Sequence, residues 1–159
     1  MATEKLKFRI ELFAIAWDKN PTCEIYINKK SHWAGEITGT EKAPTVIEFI
    51  HECIEGDNYD LTIDRKGKDK RQTVVENGKI VKDQMLQIKS IEIDEIDIGS
   101  LVYEGVYTPS YPGSWAHQQK QAGNELPTTL KNVTQMGHNG TWTLSFTSPF
   151  YMWLLENLY

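Results

Sequence analysis

Tyr103, Tyr107, Tyr111 and Trp115 recur every four residues through a stretch interrupted by Pro109, Pro112 and Gly113. Proline removes a backbone donor and breaks a continuous helix, so this spacing is not the core stripe of one. Aromatic side chains on such loops either stack on sugar rings or bury large area against another protein at small entropic cost. Tyr107, Tyr111 and Trp115 are accordingly the candidates for carbohydrate stacking. The apolar ending, residues 150–159, is hard to bury in a small domain, and Phe150, Tyr151, Trp153 and Leu154, with Trp142, are expected to dock the chain onto neighbouring subunits. The alternative for residues 150–159 is that they close one open end of the fold.

Four carboxylates, Glu92, Asp94, Glu95 and Asp97, crowd a strand-like segment, with Asp83 upstream. Calcium takes oxygen ligands in irregular loop geometry, which makes Asp83 and Asp94 candidate ligands; a charged, solvated strand edge explains the same residues without a metal. Catalysis has no comparable signature. His32, His51, His117 and His138 are scattered, no nucleophile elbow or glycine-rich phosphate loop is present, and His51-Glu52-Cys53 lacks a second ligand-spaced histidine. A non-enzymatic protein without a required cofactor is expected. Cys23 and Cys53 lie 30 residues apart outside any metal or redox spacing and are expected to be buried thiols.

These residues are carried by a chain of 159 with a net charge of −5 and no run of about 20 apolar residues, which argues against a membrane span. The acidic balance argues against nucleic acid, whose phosphates need a clustered positive face. The one basic run, residues 64–71, lacks flanking aromatics for base stacking and reads as a solvated hairpin tip. The first ten residues have no apolar signal-peptide region, so synthesis and folding in a cytoplasm are expected.

Residues 1–100 alternate with period two, as in Phe8-Ile10-Leu12, Ile25-Ile27, Ile47-Phe49 and Leu61-Ile63, between polar turn clusters. The pattern predicts an antiparallel β-sandwich, jelly-roll-like. Its alternation slips at Lys89-Ser90 and again at Asp94-Glu95, each slip marking a bulge, or the second a reverse turn. Residues 101–159 hold ten of the 17 aromatics but two of the 17 basic residues, and are expected to be a loop-rich extension that completes the sandwich of residues 1–100 and contributes to docking. Within it, residues 101–107 read as a strand, 115–122 as one or two helical turns and 140–147 as a strand. Ser148 and Pro149 allow a short terminal helix.

Residues 77–98, NGKIVKDQMLQIKSIEIDEIDI, resemble small β-sandwich proteins of tailed bacteriophages, particularly T4-like phages of marine bacteria. The positions Asp83, Leu86, Ile88, Ile91, Ile93 and Asp94 are also similar, more weakly, to a strand of calcium-dependent xylan-binding carbohydrate-binding modules. The first resemblance implies a virion accessory protein, a capsid decoration, neck or tail/fibre component, made in the host cytoplasm and present as a homo-oligomer or as copies among other virion proteins. The second implies polysaccharide recognition with calcium as a cofactor.

Overall fold

A computed structural model describes residues 2–68, 74–111 and 113–158. In chain order the strands are β1 (Thr3–Ile15), β2 (Thr22–Ile27), β3 (Lys30–Glu36), β4 (Thr45–Ile54), β5 (Asn58–Lys66), β6 (Val74–Glu76), β7 (Lys79–Lys82), β8 (Met85–Ile93), β9 (Ile96–Asp97), β10 (Val106–Pro109), β11 (Leu130–Lys131), β12 (Gln135–Met136) and β13 (Gly140–Thr147). Two helices, α1 (Gly113–Gln121) and α2 (Phe150–Leu158), complete the described residues together with a 3-10 turn at Gly99–Glu104.

The described strands form an antiparallel sandwich. One sheet has the order β12-β8-β1-β4, with β9 folded back on β8; the other runs β11-β10-β13-β5-β2-β3. Period-two alternation turns Leu6, Phe8, Ile10 and Leu12 of β1 inward against Leu61 and Ile63 of β5 and Trp142, Leu144 and Phe146 of β13, all of them buried. Cys23 and Cys53 are free, buried thiols, and burial raises both, to about 12 and about 11. β6 and β7 stand apart as a two-stranded ribbon.

The two slips of alternation have different causes. At the first, Glu11 pairs with Ser90 and Leu12 with Ile88, so Lys89 is the extra residue of a bulge that keeps Leu86, Ile88, Ile91 and Ile93 facing inward. At the second, Asp94 and Glu95 take φ of 56° and 68° and reverse the chain into β9. Two consecutive positive-φ residues make the two-residue turn that matches strand twist.

Residues 101–159 contribute strands to the interior of a sheet: β13 pairs with β5 along its length and with β10 on its other side. The expected strand at residues 101–107 is shorter. The chain first makes the 3-10 turn, which buries Leu101, and becomes extended at Val106 after Gly105. Gly105 lies against the indole of Trp142, where a Cβ would come within 2.2 Å of the ring. Helix α2 is pinned from a distance, because Glu4 of β1 accepts hydrogen bonds from the Phe150 amide at 2.8 Å and from the Ser148 hydroxyl. A carboxylate at the helix N-terminus satisfies an amide that has no intrahelical partner.

Candidate functional site

Three strand ends meet at one end of the six-stranded sheet. β5 finishes at Lys66, β10 at Pro109, and β13 begins at Gly140, which sits opposite both Pro109 and Arg65. Gly140 has φ of 149°, and a Cβ there would lie 2.3 Å from the Thr108 carbonyl oxygen, so the two strands approach more closely than a side chain permits. At this end of the sheet lies an open cleft of about 530 Å³ lined by Asp64, Lys66, Thr108, Ser110, Asn139 and Thr141 among others. This volume lies within the usual range of small-ligand sites, roughly 300–1,000 Å³.

The rim is fixed by hydrogen bonds. Asn139 clamps the loop after β5, its amide accepting from Lys68 N at 2.9 Å and donating to Lys68 O at 2.8 Å. The Ser110 amide donates to Asn139 O at 2.6 Å. Lys68 Nζ turns inward, pairing with Asp83 at 2.7 Å and donating to the Gly137 carbonyl. Below it, the guanidinium of Arg65 is buried and donates to the carbonyls of Met136 and Gln84 and to Gln84 Oε1, joining the two sheets. Burial holds this guanidinium down to about 10, still charged at neutral pH. Arg65 therefore departs from the solvated hairpin tip expected for residues 64–71; residues 69–71 lie outside the described residues.

An aromatic cluster is carried by the segments that follow and precede two of the cleft's lining residues. Tyr111, Trp115 and the imidazole of His138 approach one another with ring centroids 5.7, 5.0 and 5.3 Å apart. Tyr111 directly follows Ser110 and His138 directly precedes Asn139, both of which line the cleft. Trp115 stays 36% exposed on α1, while the Tyr111 hydroxyl donates to Pro127 O at 2.7 Å. Burial, followed by the nearby Lys68, lowers the pKa of His138 and keeps the ring neutral at pH 7; Asp83 opposes the shift and Arg65 adds to it. The cluster is thus an uncharged platform with polar groups at its edge.

Of the three expected stacking residues, Tyr111 and Trp115 are together and Tyr107 is not with them. Tyr107 is 2% exposed, and its hydroxyl accepts from His138 N at 2.9 Å and donates to His138 O. Its role is to hold the His138 backbone from beneath, since β10 alternation turns it into the core. Residue type alone does not single out His138, Asn139 and Lys68. The available signal was the His138-Asn139-Gly140 run immediately before an alternating strand, which marks a turn at a sheet end.

The docking set is corrected by burial. Trp142, Phe150, Trp153 and Leu154 are interior, at 0%, 0%, 7% and 8% exposure, and Tyr151 alone of the five faces outward. The inner face of α2 closes the open end of the sandwich, with Trp153 against Phe146 and Phe150. The candidate metal pair is also separated. Asp83 precedes β8 and Asp94 follows it, so nine strand residues, about 30 Å at ~3.3 Å each, lie between them. Asp83 bonds Lys68 and Asp94 accepts from the Tyr151 hydroxyl at 2.8 Å. These two do not fit one calcium ion, and among the described residues no group of three or more His, Cys, Asp or Glu side chains converges on a cation position.

A second ring cluster links the free edges of the two sheets. His32 of β3 and His51 of β4 approach at Nε2 to Nδ1 2.9 Å, with His32 stacked on Phe49 at 4.4 Å. Burial lowers both imidazoles, His51 and Lys30 contributing further at His32 and Lys30 at His51.

No protein-family model and no curated protein matches the chain. Two solved structures are similar to it. One is vCBM60 in complex with galactobiose, at 9% identity and a TM-score of 0.46, covering 86% of this chain and 95% of that one. The other is a selenomethionine form of vCBM60, described among calcium-dependent carbohydrate binding modules, at 6% identity and a TM-score of 0.48, covering 87% and 88%.

Proposed function

We propose that the protein is a non-catalytic carbohydrate-binding domain whose cleft between β5, β10 and β13 takes a stretch of polysaccharide against the Trp115–Tyr111–His138 platform. The observation that carries this reading is the convergence of three neutral rings, one of them an exposed indole, with Tyr111 and His138 directly adjoining in the chain two residues that line an open cleft of hydroxyl, amide and charged groups. A pyranose offers apolar C–H faces and an equatorial fringe of hydroxyls, and this surface supplies a partner for each. The faces stack on Trp115 and Tyr111, while Thr108, Ser110, Asn139 and Thr141 offer donors and acceptors to the fringe. An open cleft suits an internal segment of a chain. No metal enters this reading, because the aspartates proposed for it are far apart and already bonded.

Binding is tested with a glycan array and affinity electrophoresis in soluble polysaccharides, with and without chelator. Stacking an indole on a sugar face removes on the order of 80 Å² of apolar surface from water, about 2 kcal/mol, so Trp115→Ala is expected to weaken binding roughly thirtyfold. Retention of wild-type affinity by Trp115→Ala, or absence of binding to any glycan, overturns the proposal.

A further inference from the structure

The β6–β7 ribbon exposes its largest apolar side chains: Val75 is 57% exposed, Ile80 63% and Val81 50%. Val75 and Ile80 are cross-strand partners, and among the described strands none but its own partner pairs with either half of the ribbon. The ribbon leads into Met85, the first residue of β8.

At the far end of β8 a second apolar surface is exposed. The outer face of α2 presents Tyr151, Met152, Leu155 and Leu158, each between 48% and 57% exposed, and Tyr151, Leu155 and Leu158 share the i, i+4, i+7 stripe of one helix face. Tyr151 is tied to Asp94, which places this face beside the β8–β9 turn and about 30 Å along β8 from the ribbon.

The two surfaces differ in charge. The β8–β9 turn, tied to α2 through Tyr151 and Asp94, carries Asp94, Glu95 and Asp97, and α2 adds Glu156; Glu92 further along β8 is already paired with Arg9 at 3.2 Å. The ribbon carries Lys79 across from Glu76, and Lys82 over the ring of Trp17 at 4.4 Å, which leaves it one positive charge in excess. A pairing of α2 with α2 brings like charges together, whereas ribbon on α2 joins apolar to apolar and basic to acidic.

We propose that copies of this chain associate head to tail, the β6–β7 ribbon of one seating Val75 and Ile80 on the α2 face of the next. Surfaces at opposite ends of one molecule make a heterologous contact, which propagates into chains or closes into rings and does not stop at a dimer.

The test uses two variants at exposed positions, Ile80→Lys and Leu155→Lys, with circular dichroism and thermal melting confirming that both remain folded. Sedimentation velocity over a wide concentration range is expected to show wild-type mass rising beyond a dimer and each variant alone remaining monomeric. An equimolar mixture is expected to form a heterodimer and nothing larger, because the intact ribbon of one variant meets the intact helix of the other. A wild-type protein that stays monomeric overturns the proposal, including one that binds lipid vesicles instead. So does association that survives Ile80→Lys, which indicates a helix-to-helix contact, and so do monomeric variants that fail to combine.

Discussion

Replacing Tyr107 with Phe removes one oxygen, and the consequences are set by what that oxygen holds. The hydroxyl is inside the protein, accepts from the His138 amide at 2.9 Å and donates to the His138 carbonyl. Each neutral hydrogen bond contributes about 1 kcal/mol net, so losing the two costs about 2 kcal/mol. If the cavity stays dry, the stranded amide and carbonyl raise that toward ~4 kcal/mol. In a domain of this size 1 kcal/mol moves Tm by about 2–4 °C, giving an expected fall of about 4–8 °C at the lower figure. Because the bonds hold the strand end that carries His138, oligosaccharide affinity is expected to fall as well, although Tyr107 touches no ligand. Calorimetric melting and titration of one oligosaccharide on both proteins measure the two effects. An unchanged Tm refutes the assigned hydrogen bonds; a lowered Tm with undiminished affinity refutes the claim that Tyr107 positions the platform.

Three other perturbations have defined outcomes. Gly105→Ala puts a methyl 2.2 Å from the Trp142 indole and is expected to cost about 3 kcal/mol or more, read as a lower urea midpoint with unchanged slope. Glu4→Ala leaves the Phe150 amide unsatisfied and is expected to destabilise by about 1–2 kcal/mol, with hydrogen exchange accelerating first in α2. His32, His51 and His138 all have folded-state pKa values below the ordinary 6.5, so the unfolded chain binds protons first as pH falls. Their contribution is complete above about pH 6.5 and is lost below it, so Tm is expected to fall between about pH 7 and 5, less steeply in His51→Phe.

The sandwich was legible because its signal is local: Phe8, Ile10 and Leu12, or Trp142, Leu144 and Phe146, alternate within a single strand, and period two fixes which face is inside. The slip at Lys89 was equally local. What residues 94–95 do was open, since a bulge and a two-residue turn interrupt alternation alike and the positive φ values that distinguish them are set by pairing of β9 with β8. Helix α2 shows a different limit. Its composition announced strong apolarity, but which face is buried depends on the open end of a sandwich that forms from distant segments, so Trp153 and Tyr151 were grouped although one is interior and the other exposed. Tyr111 and Trp115 were found by residue type. His138, Asn139 and Lys68 were not, because they reach the site through sequence separations of 15 to 71 residues that no motif encodes.

The cleft and the ribbon lie at one end of the sandwich and α2 at the other, which links the two proposals. Head-to-tail copies point their clefts the same way along the assembly. A polysaccharide repeats its ligand along its length, so once one cleft is occupied the next binds at the high effective concentration set by the short span between neighbours. The assembly therefore gains affinity for a polymer without improving any cleft. Leu155→Lys, which leaves the cleft untouched, is expected to bind a single short oligosaccharide as wild type does but to lose tenfold or more on the polymer. The opposite pattern, tighter oligosaccharide binding by the variant, would mean that a neighbour's α2 covers the cleft, and association would then compete with sugar instead of reinforcing it.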